Sequence, residues 1–188
     1  QDDEIISAFF ATAYAGHSGA TAINWPNGNG ETNPAQPGGT QIAVNNSDYG
    51  NGSGNTGLTI SKLISARVAL IGAEGDDGEE FYILYNKSML GNLLSTTEAT
   101  SNDYAQVKAL VDGKIDYFMG FTFVHSERLQ KNGTGYWRAP AWRKSGMGLG
   151  IAQDIQAKSA PRPDKRFATY VYTDESLGAS RLEEAKIA

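Results

Sequence analysis

The segment from Asn24 to Gly57 constrains this chain more than any other. Of its 34 residues, 8 are glycine and 8 are asparagine, with Pro26, Pro34 and Pro37 among them. Such a stretch has little to bury and many turn or left-handed conformations open to it. It reads as a long loop, with Thr40–Val44 a short strand inside it. The core must therefore come from what lies on either side. A loop of this length within a domain is expected to be functional or mobile. Gly28-Asn29-Gly30 lacks the third spaced glycine and the preceding strand of a phosphate-cradling motif, so no nucleotide site is read here.

The flanks carry the periodic apolar residues. In Asp2–Tyr14, Ile5, Ile6, Phe9, Phe10 and Ala13 form a broad helical face. Asp2, Asp3 and Glu4 suit the positive end of that helix. Thr59–Ile71 predicts a second helix, with Ile60, Leu63, Ile64, Val68 and Ile71 inward and Thr59 or Ser61 as cap. The Gly72–Gly78 turn has acids without the oxygen spacing of a calcium loop. Phe81–Tyr85 (FYILY) predicts a central strand buried on both sides. Asn86 caps a helix over 87–95, with Met89, Leu90, Leu93 and Leu94 inward. A further helix is predicted over 101–111, and Phe121–Val124 forms a second buried strand. Lys131–Gly135 is a hairpin-like turn, and Tyr136–Trp142 is extended. Gly146, Gly148 and Gly150 punctuate a short element. Two extended arms around Pro161-Arg162-Pro163-Asp164 predict a long antiparallel hairpin, and Leu177–Ala188 closes the chain.

Length and composition bound the class. The chain has 188 residues, 40% of them hydrophobic, which suits one domain or two small ones with a real core. No apolar run reaches the roughly 18–20 residues of a membrane-spanning helix. No cationic-then-apolar leader is visible. The chain starts at Gln1 inside a helical pattern and closes on Lys186-Ile187-Ala188 without a stop signal, so a piece of a longer chain is expected. The absence of cysteine excludes thiol catalysis, disulfides and cysteine-ligated metals. His17 and His125 lack carboxylates at metal-ligand spacing, and there is no G-x-S-x-G elbow. Catalytic carboxylates, whose pairing is spatial, leave no signature in the sequence. No catalytic, metal or cofactor residue is assigned, and the chain is not read as an enzyme.

Charge is unevenly spread. The net charge of −5 divides into 5 Lys/Arg against 14 Asp/Glu over residues 1–125, and 11 against 7 over 126–188. Overall acidity argues against a dedicated DNA-coating protein. An acidic part and a basic part on one chain allow copies to meet head to tail, a contact that closes into rings. Tyr136, Trp137, Arg138, Trp142 and Arg143 form the densest cluster of the residue types that dominate protein interfaces. Arg162, Lys165 and Arg166 lie on a turn stiffened by two prolines and suited to carboxylate pairing across subunits. Both groups are candidate subunit contacts. Surface charge and core packing explain the same residues equally well.

The ordered stretches Tyr104–Gly113, Phe118–Leu129 (Phe118-Met119-Gly120-Phe121 followed by Arg128-Leu129) and Arg162–Lys186 resemble the major capsid proteins of tailed bacteriophages, which share the Hong Kong 97-type fold. The similarity runs from about Ile5 to Ile187. It implies an α+β protein with an axial domain and part of a peripheral domain. Residues 1–20 would end the peripheral spine helix, 21–149 form the axial domain, 150–182 the peripheral hairpin, and 183–188 the strand returning to the axial domain. The family's N-terminal arm and extended loop are not in this sequence.

The implied function is self-assembly into the icosahedral shell that encloses a phage DNA genome. The partners would be copies of the chain itself in pentamers and hexamers. Accessory or decoration capsid proteins are further candidates, packaged DNA would lie nearby without specific binding, and no membrane is involved. The location would be the virion, assembled in the host bacterial cytoplasm. The Gly/Asn loop is expected to differ between fivefold and sixfold positions. A β-rich surface-adhesion or glycan-binding module, and a minor capsid or decoration protein, are the alternatives, and size in solution separates the first of these from a shell protein.

Overall fold

The computed structural model describes residues 2–15, 18–19, 21–23, 42–44, 55–72, 78–95 and 116–188. The helix expected over 101–111, most of the Gly/Asn segment and His17 lie outside these. Two parts stand out: a mixed sheet packed by helices, and a long hairpin projecting from it.

The sheet has the order β4-β5-β3-β6, from β4 (Tyr117–Phe118), β5 (Phe121–His125), β3 (Phe81–Tyr85) and β6 (Ala141–Arg143). β3 is central, as its apolar run predicts. It pairs parallel with β5 (Phe81 beside Phe121, Tyr85 beside His125) and antiparallel with β6 (Ile83 beside Ala141). Ile83, Leu84, Phe121, Phe123 and Phe118 are buried with Ala141, and Phe81 meets Phe121 edge-on at 5.9 Å. β5 alternates at its far end, where Val124 is exposed. That strand is thus buried on one face, at Phe121 and Phe123, and the expected burial of both faces is not found.

Helix α1 runs Asp2–Phe10, not to Tyr14. Ala13–Ala15 (β1) instead pairs antiparallel with Thr21–Ile23 (β2). The helical stripe continues in sequence beyond Phe10, but the last-turn carbonyl of Phe9 is taken by Arg181, 172 positions away, at 2.8 Å. Helix α2 spans Ile60–Gly72 and starts at Thr59, whose hydroxyl accepts from Lys62 N at 3.4 Å. Its buried face is Leu63, Ala66 and Leu70, whereas Val68 (50% exposed) and Ile71 (53%) face outward. The expected face was therefore wrong for those two. Both stripes of this helix are apolar, and packing against the sheet selects the one that contains small Ala66. Helix α3 (Lys87–Leu94) is capped as predicted, with Asn86 Oδ1 accepting from Met89 N at 3.0 Å, and it buries Met89 and Leu93.

The turn between β4 and β5 is tight. Met119 and Gly120 have φ of 52° and 83°. A Cβ on Gly120 would lie 1.2 Å from Arg67 Nη1, and that guanidinium donates to Met119 O at 2.8 Å. Arg67 is thereby laid over the Phe81 ring, 5.3 Å from its centroid, while Arg143 approaches the same ring at 5.2 Å.

The hairpin is formed by β7 (Met147–Arg162) and β8 (Ala168–Arg181), with register running from Met147 beside Arg181 to Arg162 beside Ala168. It starts earlier than the sequence pattern suggested, so the glycines at 148 and 150 lie inside β7. At Gly148 a Cβ would lie 3.2 Å from the exposed Leu182 side chain, which would have to shift slightly to admit it. Two register shifts between Ile151 and Gln156 bulge β7 at mid-length. The segment expected to be extended from Tyr136 contains a strand only at Ala141–Arg143. Ile42–Val44, the described part of Thr40–Val44, is not strand.

The hairpin is joined to the sheet at its base. Arg181, buried, donates through Nε to Glu184 Oε1 at 2.7 Å and through Nη1 to Phe9 O. Beyond a short 3₁₀ turn (Glu184–Lys186), Ile187 is buried beside Trp142, and Ala141 and Ala188 exchange N–H···O bonds of 2.8 Å. Replacing Arg181 by Ala leaves Glu184 and a helix-end carbonyl buried without a partner. The expected loss is about 3–5 kcal/mol, measured by denaturant unfolding, and Arg181→Lys should recover little of it, since a single ammonium lacks the planar fork that reaches both acceptors. Gly120→Ala should cost more than about 1 kcal/mol, because φ is positive there and Arg67 must move.

Candidate subunit-contact surfaces

The structure divides the aromatic and arginine cluster into two groups. Trp142 lies inward on β6, half-buried, with its ring 4.8 Å from Phe9 and stacked on Tyr82 at 5.6 Å. Arg143 is buried, 3.8 Å from Glu79 Oε2. Burial would raise the Glu79 carboxyl, but bonds from Ser145 and the charges of Lys186 and Arg143 hold it below the usual carboxylate value. Trp142 and Arg143 thus tie β6 to the chain's own core.

Tyr136 and Trp137 do the opposite. They sit on a turn that Asn132 organises, its Oδ1 accepting from Tyr136 N at 2.8 Å and Thr134 N at 3.1 Å. Lys131 pairs with Trp137 across this turn and places its ammonium 4.6 Å from the indole centroid. Tyr136 is 37% exposed and Trp137 40%. Arg138 turns back over the Phe10 ring at 5.0 Å. Behind the turn is a cavity of about 400 Å³, floored by Phe10, Leu63 and Met89.

Lys62 stands in the wall of that cavity. Its Nζ donates to Val44 O, Thr56 O and Gly57 O at 2.8, 2.6 and 2.8 Å, and Thr56 N donates to Val44 O at 3.1 Å. Burial pushes its ammonium down to about 8. The sequence marked Lys62 with nothing except its place in an apolar helix. Its role depends on two backbone stretches outside that helix.

The hairpin tip collects the cationic candidates. Arg162 makes a two-point contact with Asp164 at 3.0 and 2.6 Å and lies 5.6 Å over the Tyr170 ring, which is stacked on Tyr172. Lys165 and Arg166 are exposed. Phe167, absent from the sequence-derived candidates, is 73% exposed. Arg166 and Phe167 both have positive φ, 51° and 59°. Two consecutive non-glycine residues in this region cost on the order of 1–3 kcal/mol each. Phe167 follows directly on a proline-and-charge turn, and that position was the only signal available in the sequence.

Chemistry is thinly represented. Among the described residues no group of three His, Cys, Asp or Glu is gathered to hold a metal, and no helix is long and apolar enough to cross a membrane. His125 is at the surface, 3.0 Å from Glu127.

Three solved structures are similar in fold. A chain of the cyanophage Pam1 capsid matches with a TM-score of 0.59 at 16% identity, over 98% of this chain and 61% of that one. A chain from Mycobacterium phage Che8 matches at 0.55 and 17%, over 72% and 50%. A chain of the cyanophage P-SCSP1u capsid matches at 0.52 and 16%, over 66% and 43%. The chain thus spans about half the length of the capsid chains it resembles, and the α+β Hong Kong 97-type fold expected from the sequence is the fold observed. No curated protein is matched. The family model described as phage capsid protein covers residues 1–188 in full, and the chain belongs to that family.

Proposed function

We propose that this chain is the shell-forming part of a phage major capsid protein, which assembles with copies of itself into the icosahedral particle around a DNA genome. The observation that carries this reading is the family match over every residue, joined to a projecting hairpin with apolar side chains on both arms. A structural role follows from such a family, and the work is done by surfaces rather than by a reaction. Residues 1–20 and 150–182 serve as the peripheral part and 21–149 as the axial part, with 183–188 linking them. Tyr136, Trp137 and Arg138 form one contact, and Arg162, Lys165 and Arg166 another. Trp142 and Arg143 support the first from within. The shell is a virion component built in the host cytoplasm, open to decoration proteins on its outside and to non-specific DNA proximity within.

Sedimentation velocity and electron imaging of the full-length protein test this. Rings or closed particles are expected, and a protein that stays monomeric under all assembly conditions refutes the reading. Trp137→Ala should impair assembly with little change in the thermal midpoint. Trp142→Ala should instead destabilise the subunit by about 3 kcal/mol or more, since it removes a packed aromatic. Equal effects of the two on stability and assembly would remove Trp137 from the contact.

A further inference from the structure

Lys62 carries a charge into a wall that an apolar side chain would fill. It stands beside Leu63 on α2, half-buried over the cavity floored by Phe10, Leu63 and Met89. Among the described residues lining that cavity, the other cation is Arg138 and there is no Asp or Glu. No carboxylate of that lining offsets the ammonium, and burial lowers its pKa to about 8. Such a charge is held only where its hydrogen bonds are met. An ammonium has three donors and no acceptor. All three are used, on Val44 O, Thr56 O and Gly57 O, at 2.8, 2.6 and 2.8 Å. The gain that offsets burial therefore lies in two backbone stretches outside the helix.

Those stretches lead to the turn that bears Tyr136 and Trp137. Thr56 N closes on Val44 O at 3.1 Å, so one ammonium and one backbone bond fix both stretches together. Gly57 lies against α3, where a Cβ would collide with the Asn92 side chain. Residues 55–57 are thus set between Lys62 of α2 and Asn92 of α3. Asn55, at the start of that run, donates through Nδ2 to the Tyr136 hydroxyl oxygen. The backbone of Tyr136 is held by Asn132, through Tyr136 N to Asn132 Oδ1 and Asn132 N to Tyr136 O, each at 2.8 Å. Both ends of this tyrosine are therefore anchored, the phenol to a segment that Lys62 holds and the backbone to its own turn.

We propose that Lys62 is a positioning residue for the Tyr136–Trp137 contact: its ammonium fixes residues 55–57, and Asn55, fixed with them, holds the turn in one conformation. The proposal rests on the reading of Tyr136 and Trp137 as a subunit contact and deepens it by naming what sets their geometry. Lys62 acts through Asn55 and Tyr136 and not by touching a second copy. A turn that is ordered before it meets a partner loses less freedom on binding.

The test uses the full-length protein and reads amide hydrogen exchange in the unassembled subunit, the thermal midpoint, and the critical concentration for assembly. Lys62→Met keeps the apolar stem and removes the three donors. Exchange at Thr56, Asn132 and Tyr136 should rise by roughly fivefold, the scale of one lost hydrogen bond. The critical concentration should rise about twofold to tenfold, the scale of ordering one side chain on binding. Lys62→Gln takes its place, with the same outcomes, if that variant does not fold. Tyr136→Phe removes only the hydroxyl that Asn55 bonds. It should loosen Asn132 and position 136, leave Thr56 and the midpoint near wild type, and raise the critical concentration as Lys62→Met does. The two changes combined should be no worse for assembly than Lys62→Met alone, because both act on one link. Additive losses overturn the proposal, as does a Lys62→Met protein whose Thr56 amide is freed while Asn132 and Tyr136 exchange as in wild type. If Trp137→Ala impairs assembly and these variants do not, the contact reading stands and the positioning role falls. If Trp137→Ala assembles like wild type, the contact reading falls and takes the proposal with it.

Discussion

The buried Arg181 guanidinium is the interaction on which the arrangement depends. It reaches a helix-end carbonyl on one side and Glu184 on the other. A charge with almost no solvent contact is held only if its hydrogen bonds are met, so its geometry admits little variation. Three parts of the chain meet there: the end of α1, the last residue of β8 and the turn that returns the chain to β6. The direction in which the hairpin projects is set at this joint. Gly146, just before β7, permits it, since a Cβ there would lie 3.0 Å from the Lys186 backbone oxygen and Cβ.

The hairpin is fixed to the body at its base. Its near half lies beside α1, to which Arg181 bonds, and its far half carries its own ladder and the Arg162–Tyr170–Tyr172 stack. The mid-length bulges lie between these halves. An extra residue in one strand increases local twist and re-aims the residues beyond it. The far half can therefore present faces that differ from those of the near half.

Much of the fold was legible because periodicity and burial agreed. FYILY read as a central strand, Asn86 as the cap of α3, and the two arms around Pro161–Asp164 as a hairpin, and the structure has all three. The failures have a common cause. The α1 stripe continues past Phe10, and α2 has two apolar stripes. In both, distant groups made the choice: Arg181 at the helix end, and the sheet face that accepts Leu63, Ala66 and Leu70. For the contact surfaces, residue type alone grouped Trp142 and Arg143 with Tyr136 and Trp137. Position in the sheet separates them: pleat sends Trp142 to one face of β6, against Phe9 and Tyr82, and Arg143 to the other, against Phe81, and both faces are packed, while the preceding turn stays at the surface. Phe167 was invisible for a related reason. What sets it apart is a backbone angle, and no side-chain pattern announces a left-handed phenylalanine.

The position of the charges obeys the same logic as the position of the apolar groups. Inside the body, arginines are engaged by rings and carbonyls: Arg67 and Arg143 by Phe81, Arg138 by Phe10, Arg181 by Phe9. Guanidinium is weakly hydrated and planar, so it can cover an aromatic face at small desolvation cost. The body thus engages these four arginines internally, while Lys87, Arg128, Lys131 and Lys144 stay at its surface beside its carboxylates, and the tip exposes Lys165 and Arg166. The charge imbalance along the sequence does not map onto a division between body and tip, since Arg128, Lys131, Arg138, Arg143 and Lys144 of the basic half belong to the body. Cations that are laid on rings or bonded to carbonyls are fixed in place by the fold, whereas those at the surface keep their hydration and their freedom.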